Sequence, residues 1–178
     1  MRNLFFFVSA YRHLAIVNTA SIHEIQRELK TLSVKELVAI CGRLARYKKE
    51  NKELLNYLLF EADNEAAFVE NVKSEIESGF AEMNMSSLYL CKKSLRKMLR
   101  MLNRYIKFSG QEKTEVELRL FYCNALLGSG IAIEKSQTLI NLYQRELKKI
   151  TDKVSGMHED LAYDYGKELG LLKIFQAG

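Results

Sequence analysis

The chain has 178 residues, enough for one domain or at most two small ones, and a core of that size holds without disulfides or metals. A hydrophobic fraction of 48% and a charged fraction of 28% exclude an intrinsically disordered chain, and the lack of proline with only nine glycines argues against turn-rich sandwiches and barrels. The formal net charge of +5 permits an acidic partner without requiring one.

At the N-terminus, Arg2 precedes Leu4-Phe5-Phe6-Phe7-Val8-Ser9-Ala10, a faint echo of a secretory leader. The apolar run is too short, and Arg12 and His13 interrupt any extension into a membrane span. Residues 1–20 therefore read as an N-terminal arm or first helix whose Phe side chains dock on the body, and 21–178 as a single all-α domain.

Helix starts are well marked downstream. Ser21-x-x-Glu24 and Ser33-x-x-Glu36 both fit a capping box, in which hydroxyl and carboxylate each satisfy an orphan N–H. After Ser33, the residues Val34, Leu37, Val38, Cys41, Leu44, Ala45 and Tyr47 share one apolar face. Asn51 is placed to cap the next helix, with a seam of Leu54, Leu55, Leu58, Leu59 and Ala62. Asp63 or Asn64 then caps a helix carrying Phe68, Val69, Val72, Ile76 and Phe80, with Glu65 in its first turn where the dipole favours an anion. A break near Asn84 precedes a helix capped by Ser86 or Ser87 and stopped by Gly110. Thr114-x-x-Glu117 opens another helix, which Gly128-Ser129-Gly130 closes. A long helix from about Ile133 to Lys153 follows, and Ser155-Gly156 separates it from a last one beginning near His158.

The expected fold is all-α: about seven or eight helices as stacked antiparallel helical hairpins, forming either a compact bundle or a short superhelix of the HEAT or TPR kind. The segments around Cys41, Cys91 and Cys123 look alike, but spacings of 50 and 32 residues give no fixed period. These three cysteines form no CxxC or CxxxC pair. They read as small buried core residues of a reducing, cytoplasmic compartment, without a metal site.

The stretch 86–109 is the one that names a class of partner. It holds seven basic residues and no acid, and Lys93, Arg96, Lys97, Arg100, Arg104 and Lys107 fall within about 100° of one another on a helix. Cys91, Leu95, Met98, Leu102 and Ile106 lie opposite, which makes this helix a candidate for the centre of the core. The segment before it, 61–82, carries seven acids against Lys73 alone. If the two helices pair along their seams, Glu75 and Glu82 reach Lys92 or Arg96 at the flank but not Arg104 or Lys97. That stripe then faces water, another part of the chain or a partner, and a phosphate backbone is the ligand a row of Arg and Lys suits best. Tyr89 sits at its N-terminal end as a stacking residue. Arg43, Arg46, Lys48, Lys49 and Lys52, or Arg145, Lys148, Lys149 and Lys153, would enlarge the patch if the fold brings them to the same side.

No catalytic constellation emerges. His13, His23 and His158 are far apart and complete no HExxH or ExxH pair, Gly128-Ser129-Gly130 is no nucleophile elbow, and neither a Walker A loop nor GxGxxG occurs. Asp160 and Asp164 read as a solvated acidic turn at a helix start. The expectation is a non-catalytic helical scaffold or adaptor that binds another protein or self-associates, with no cofactor, metal, small-molecule substrate or membrane attachment. The alternative is a nucleic-acid-associated protein using the basic helix 86–109.

Overall fold

Described residues of the computed structural model run from 19 to 174, with side chains described through Leu172; the apolar stretch at residues 4–8 lies outside them. Among the described residues there are eight α-helices and no strand. They are α1 (Ile22–Leu29), α2 (Val34–Tyr47), α3 (Lys49–Asn56), α4 (Glu65–Ala81), α5 (Leu88–Ser109), α6 (Glu112–Gly128), α7 (Gln137–Val154) and α8 (Glu159–Ile174). The all-α expectation holds.

Cap chemistry sets most of the boundaries. Ser21 and Ser33 form complete capping boxes with Glu24 and Glu36, Asn64 accepts from the Ala67 N–H, and Ser87 accepts from the Leu90 N–H. Gly110 ends α5 at φ +67°, a left-handed conformation glycine adopts without steric cost. Two caps differ from expectation. Asn51 does not cap α3; its side-chain amide donates back to the Leu44 carbonyl at 2.9 Å, satisfying an end-of-helix acceptor of α2 and sealing the α2–α3 corner. Thr114 is not a cap either, because α6 already begins at Glu112; its buried hydroxyl donates to Glu65 instead.

The core lies among α4 to α8, and α6 is its axis. It packs on α4, α5, α7 and α8, with Val116, Leu118, Leu120, Tyr122, Cys123 and Leu126 fully buried. Each such side chain contributes about 1.5–3 kcal/mol on burial. The central position expected for the basic helix therefore belongs to α6, while α5 lies on the flank. Its seam of Cys91, Leu95, Met98, Leu102 and Ile106 is buried as expected. Gly79 on α4 allows α5 to come close: a Cβ there would stand 2.6 Å from the Met98 Sδ.

Polar staples fix these contacts. Lys73 of α4 meets Glu117 of α6 at 2.6 Å, and the Tyr105 hydroxyl of α5 donates to Glu75 of α4 at 2.9 Å. Arg119 of α6, 5% exposed, is held by Glu115, by Asn103 of α5 and by Glu146 of α7, itself 5% exposed and also bound by Lys149. With every partner in place this buried pair is tolerated; removing one member would strand a charge. Cys123 lies beside it, and burial together with the Glu146 charge pushes its thiol up to about 12.

The N-terminal elements are different. Neither α1, α2 nor α3 contributes a buried residue. After α3 the helix widens into a π-turn, Tyr57–Glu61, closed by the Ala62 N–H on the Tyr57 carbonyl. That extra residue rotates the register, so Tyr57 turns inward onto Phe68 while Leu58, Leu59 and Phe60 face out. The expected α3 seam of Leu54, Leu55, Leu58 and Leu59 is thus not a core seam. Cys41, expected in the core, is exposed, whereas Cys91 and Cys123 are buried.

Candidate functional site

The basic stripe of α5 is built as its spacing requires. With the seam anchored against α4 and α6, the opposite face turns outward: Lys93, Arg96, Lys97, Arg100 and Lys107 are exposed and Arg104 is half-buried. Among the described residues Lys92, Lys93, Arg96, Lys97, Arg100 and Lys107 meet no acidic partner. Neither Glu75 nor Glu82 reaches Lys92 or Arg96; Glu75 is taken by Tyr105.

Arg104 is the exception. It faces Glu53 of α3, charges 3.1 Å apart though without hydrogen-bond alignment, and its guanidinium lies 5.3 Å from the Tyr105 ring. The neutralising acid comes from an element 51 positions earlier, which no local pattern could reveal. Glu53 is shared, because its other oxygen lies 3.5 Å from Lys49. Lys49 and Lys52 of α3 therefore stand beside the C-terminal half of the stripe. In the other basic group Lys148 pairs with Asp152, Lys149 with Glu146 and Lys153 with Glu112, while the exposed Arg145 donates to the Asn141 carbonyl at 3.2 Å.

Between α3, the π-turn, α4 and α5 lies a cleft of about 410 Å³ that the sequence did not announce. Tyr57, Phe68, Tyr105 and Phe108 form its aromatic wall, with successive ring centroids 4.7, 5.8 and 5.9 Å apart. Lys49 and Lys52 line its rim beside Glu53, Glu61 and Glu75. Beneath it, Glu65 at the start of α4 accepts hydrogen bonds from Tyr57, Ser109 and Thr114. Burial pushes that carboxyl up, but the three hydroxyl donors outweigh it and hold it below its usual value. A carboxylate so satisfied is a structural knot joining α4, α5, α6 and the π-turn.

A second surface is apolar. Val34, Val38, Leu44 and Tyr47 of α2 are 77, 66, 51 and 74% exposed, and Ile22 of α1 is 72% exposed. Beside them Ile40, Arg43, Leu44 and Tyr47 enclose a shallow hollow of about 400 Å³. The capping boxes and seam of α2 form as the sequence indicates, yet its seam meets no core.

Asp160 and Asp164 are exposed at the start of α8, where His158 Nδ1 lies 3.6 Å from Asp160. No helix among the described residues is long and apolar enough to cross a membrane. No protein-family model matches the chain, and no curated protein or solved structure matches it either.

Proposed function

We propose that this protein is a non-catalytic helical scaffold, working in a reducing cytoplasmic compartment, that self-associates through α1 and α2. The carrying observation is the apolar face of α2: a helix with a complete capping box whose seam of Val34, Val38, Leu44 and Tyr47 stays in water. A helix of 14 residues draws most of its stability from packing an apolar face, and here the described residues supply little. A contiguous exposed apolar patch of this kind marks an association surface.

Helix dipoles favour a second copy in antiparallel register, because two copies of α2 turned end to end about a two-fold axis set their dipoles in opposition. Lys35, Glu36, Arg43 and Arg46 lie away from the seam on α2, so such a pairing leaves them in solvent. The free thiols Cys41, Cys91 and Cys123 agree with a reducing compartment.

Molar mass measured by light scattering over a concentration series tests this reading. The expected result is a dimer that becomes monomeric when Val38 and Leu44 are both replaced by Glu, with helix content retained. A wild-type chain that stays monomeric at high concentration would overturn self-association.

A further inference from the structure

The arrangement around α5 carries a second kind of interaction, independent of self-association. From Lys93 to Lys107 the stripe runs about 21 Å at 1.5 Å per residue, enough to follow several phosphates of one strand. Solvent-facing cations stand at Lys93, Arg96, Lys97, Arg100 and Lys107, interrupted by the half-buried Arg104, and Glu53 joins Lys49 to the far end. One carboxylate between Lys49 and Arg104 leaves that junction net positive.

Aromatic groups stand at both ends. Tyr89, one turn before Lys93, is 75% exposed with its ring free in solvent. At the other end, immediately past Arg104, the cleft presents Tyr105 and Phe108 beside Lys52. Glu61 accepts from Asn56 at 2.6 Å and Glu75 from Tyr105, contacts that fix the direction of both carboxylates while leaving them charged. A row of cations alone suits any polyanion. Cations flanked by an exposed ring at one end and half-buried rings at the other suit one whose bases are free to leave the stack, because base–aromatic stacking needs an accessible base face.

We propose that the α5 stripe, extended by Lys49, binds single-stranded nucleic acid, the backbone lying along Lys93, Lys97, Arg100 and Lys107 with bases stacking on Tyr89 and at the mouth of the cleft on Tyr105. Contacts of this kind position the strand by its phosphates and read little sequence.

Fluorescence anisotropy with labelled oligonucleotides of about 20 nucleotides, single-stranded and duplex, tests the assignment on the full chain. Neutralising about five phosphates predicts roughly a hundredfold weaker single-strand binding between about 50 and 200 mM salt. A Lys97→Glu, Arg100→Glu variant should lose binding at least tenfold while keeping its circular dichroism, and Lys97→Gln, Arg100→Gln should lose less. Tyr89→Leu should weaken single-strand binding by about fivefold or more, the lower range for one stacked base, and leave duplex binding unchanged. Absence of single-strand binding at about 50 mM salt would overturn the proposal. So would binding that survives charge reversal, or tighter binding to duplex, to polyglutamate or to anionic vesicles than to the single strand.

Discussion

Glu65 gathers three hydroxyl donors from three separate elements onto one side chain. Its carboxylate receives Tyr57 from the π-turn, Ser109 from the end of α5 and Thr114 from α6, so one acid ties three elements to the start of α4. The sequence placed Glu65 in a helix first turn for its charge alone; its partners lie up to 49 residues away and leave no local signal. Because these donors hold its native pKa below the ordinary 4.5, its contribution is complete above that value and is lost as pH falls through the depressed native pKa. Hydrogen bonds to a charged acceptor are worth about 1.5–3 kcal/mol, so Glu65→Gln should cost that much at neutral pH. The gap between variant and wild type should close on acidification. Urea denaturation at stepped pH measures both curves, and a gap that stays constant down to strongly acidic pH would show that the charge is not what matters.

Among the elements, cap signatures and 3.6-residue periodicity located the bodies of all eight described helices, and the boundaries moved where long-range contacts decided them. The seam of α5 was legible because its back is apolar and its front uniformly basic. The centrality of α6 was not, since a helix buried on nearly all sides shows no polar stripe against which to read a face. The π-turn escaped for a different reason: a single inserted residue changes which of Tyr57, Leu58 and Leu59 points inward without altering composition. For α2 the pattern predicted the face correctly and the context wrongly, because an apolar seam announces burial without saying against what. That distinction has a measurable consequence. In the monomer, α1 and α2 have no buried side chain and their amides open locally at little cost, whereas α6 amides exchange only through global unfolding. Hydrogen exchange followed by mass spectrometry should therefore find residues 22–47 weakly protected in dilute solution and progressively protected as concentration rises. Protection in α6 should barely change beyond the gain in global stability that dimerisation brings. Concentration-independent, strong protection of 22–47 would mean that the same chain already covers the face.

At the scale of the whole molecule, the net charge of +5 hides a division of labour. The lysines of α7, Lys148, Lys149 and Lys153, pair with acids close at hand, and Lys73 with Glu70 and Glu117, so these contribute to holding the fold. Those of α5 are concentrated on one face and, Arg104 apart, left unbalanced. Five like-charged neighbours at i,i+3 or i,i+4 remain once Arg104 is set aside for its contact with Glu53: Lys92–Arg96, Lys93–Arg96, Lys93–Lys97, Arg96–Arg100 and Lys97–Arg100. At about 0.2–0.5 kcal/mol each, they cost roughly 1–2.5 kcal/mol at low ionic strength. Most of this is screened at physiological salt, where the Debye length is about 8 Å. The wild-type protein should therefore gain on the order of 1 kcal/mol of unfolding free energy between low and physiological salt. The Lys97→Glu, Arg100→Glu variant should be more stable than wild type at low salt and gain less on adding salt, because reversal makes the 93–97 and 96–100 pairs attractive while the 97–100 pair stays like-charged. Urea midpoints at the two ionic strengths, with the slope of the transition held in common, supply the measurement. A variant that is less stable at low salt would show that these side chains serve the fold through contacts of their own. A more stable variant that no longer binds the strand would show that the stripe carries a cost in stability which only a ligand offsets.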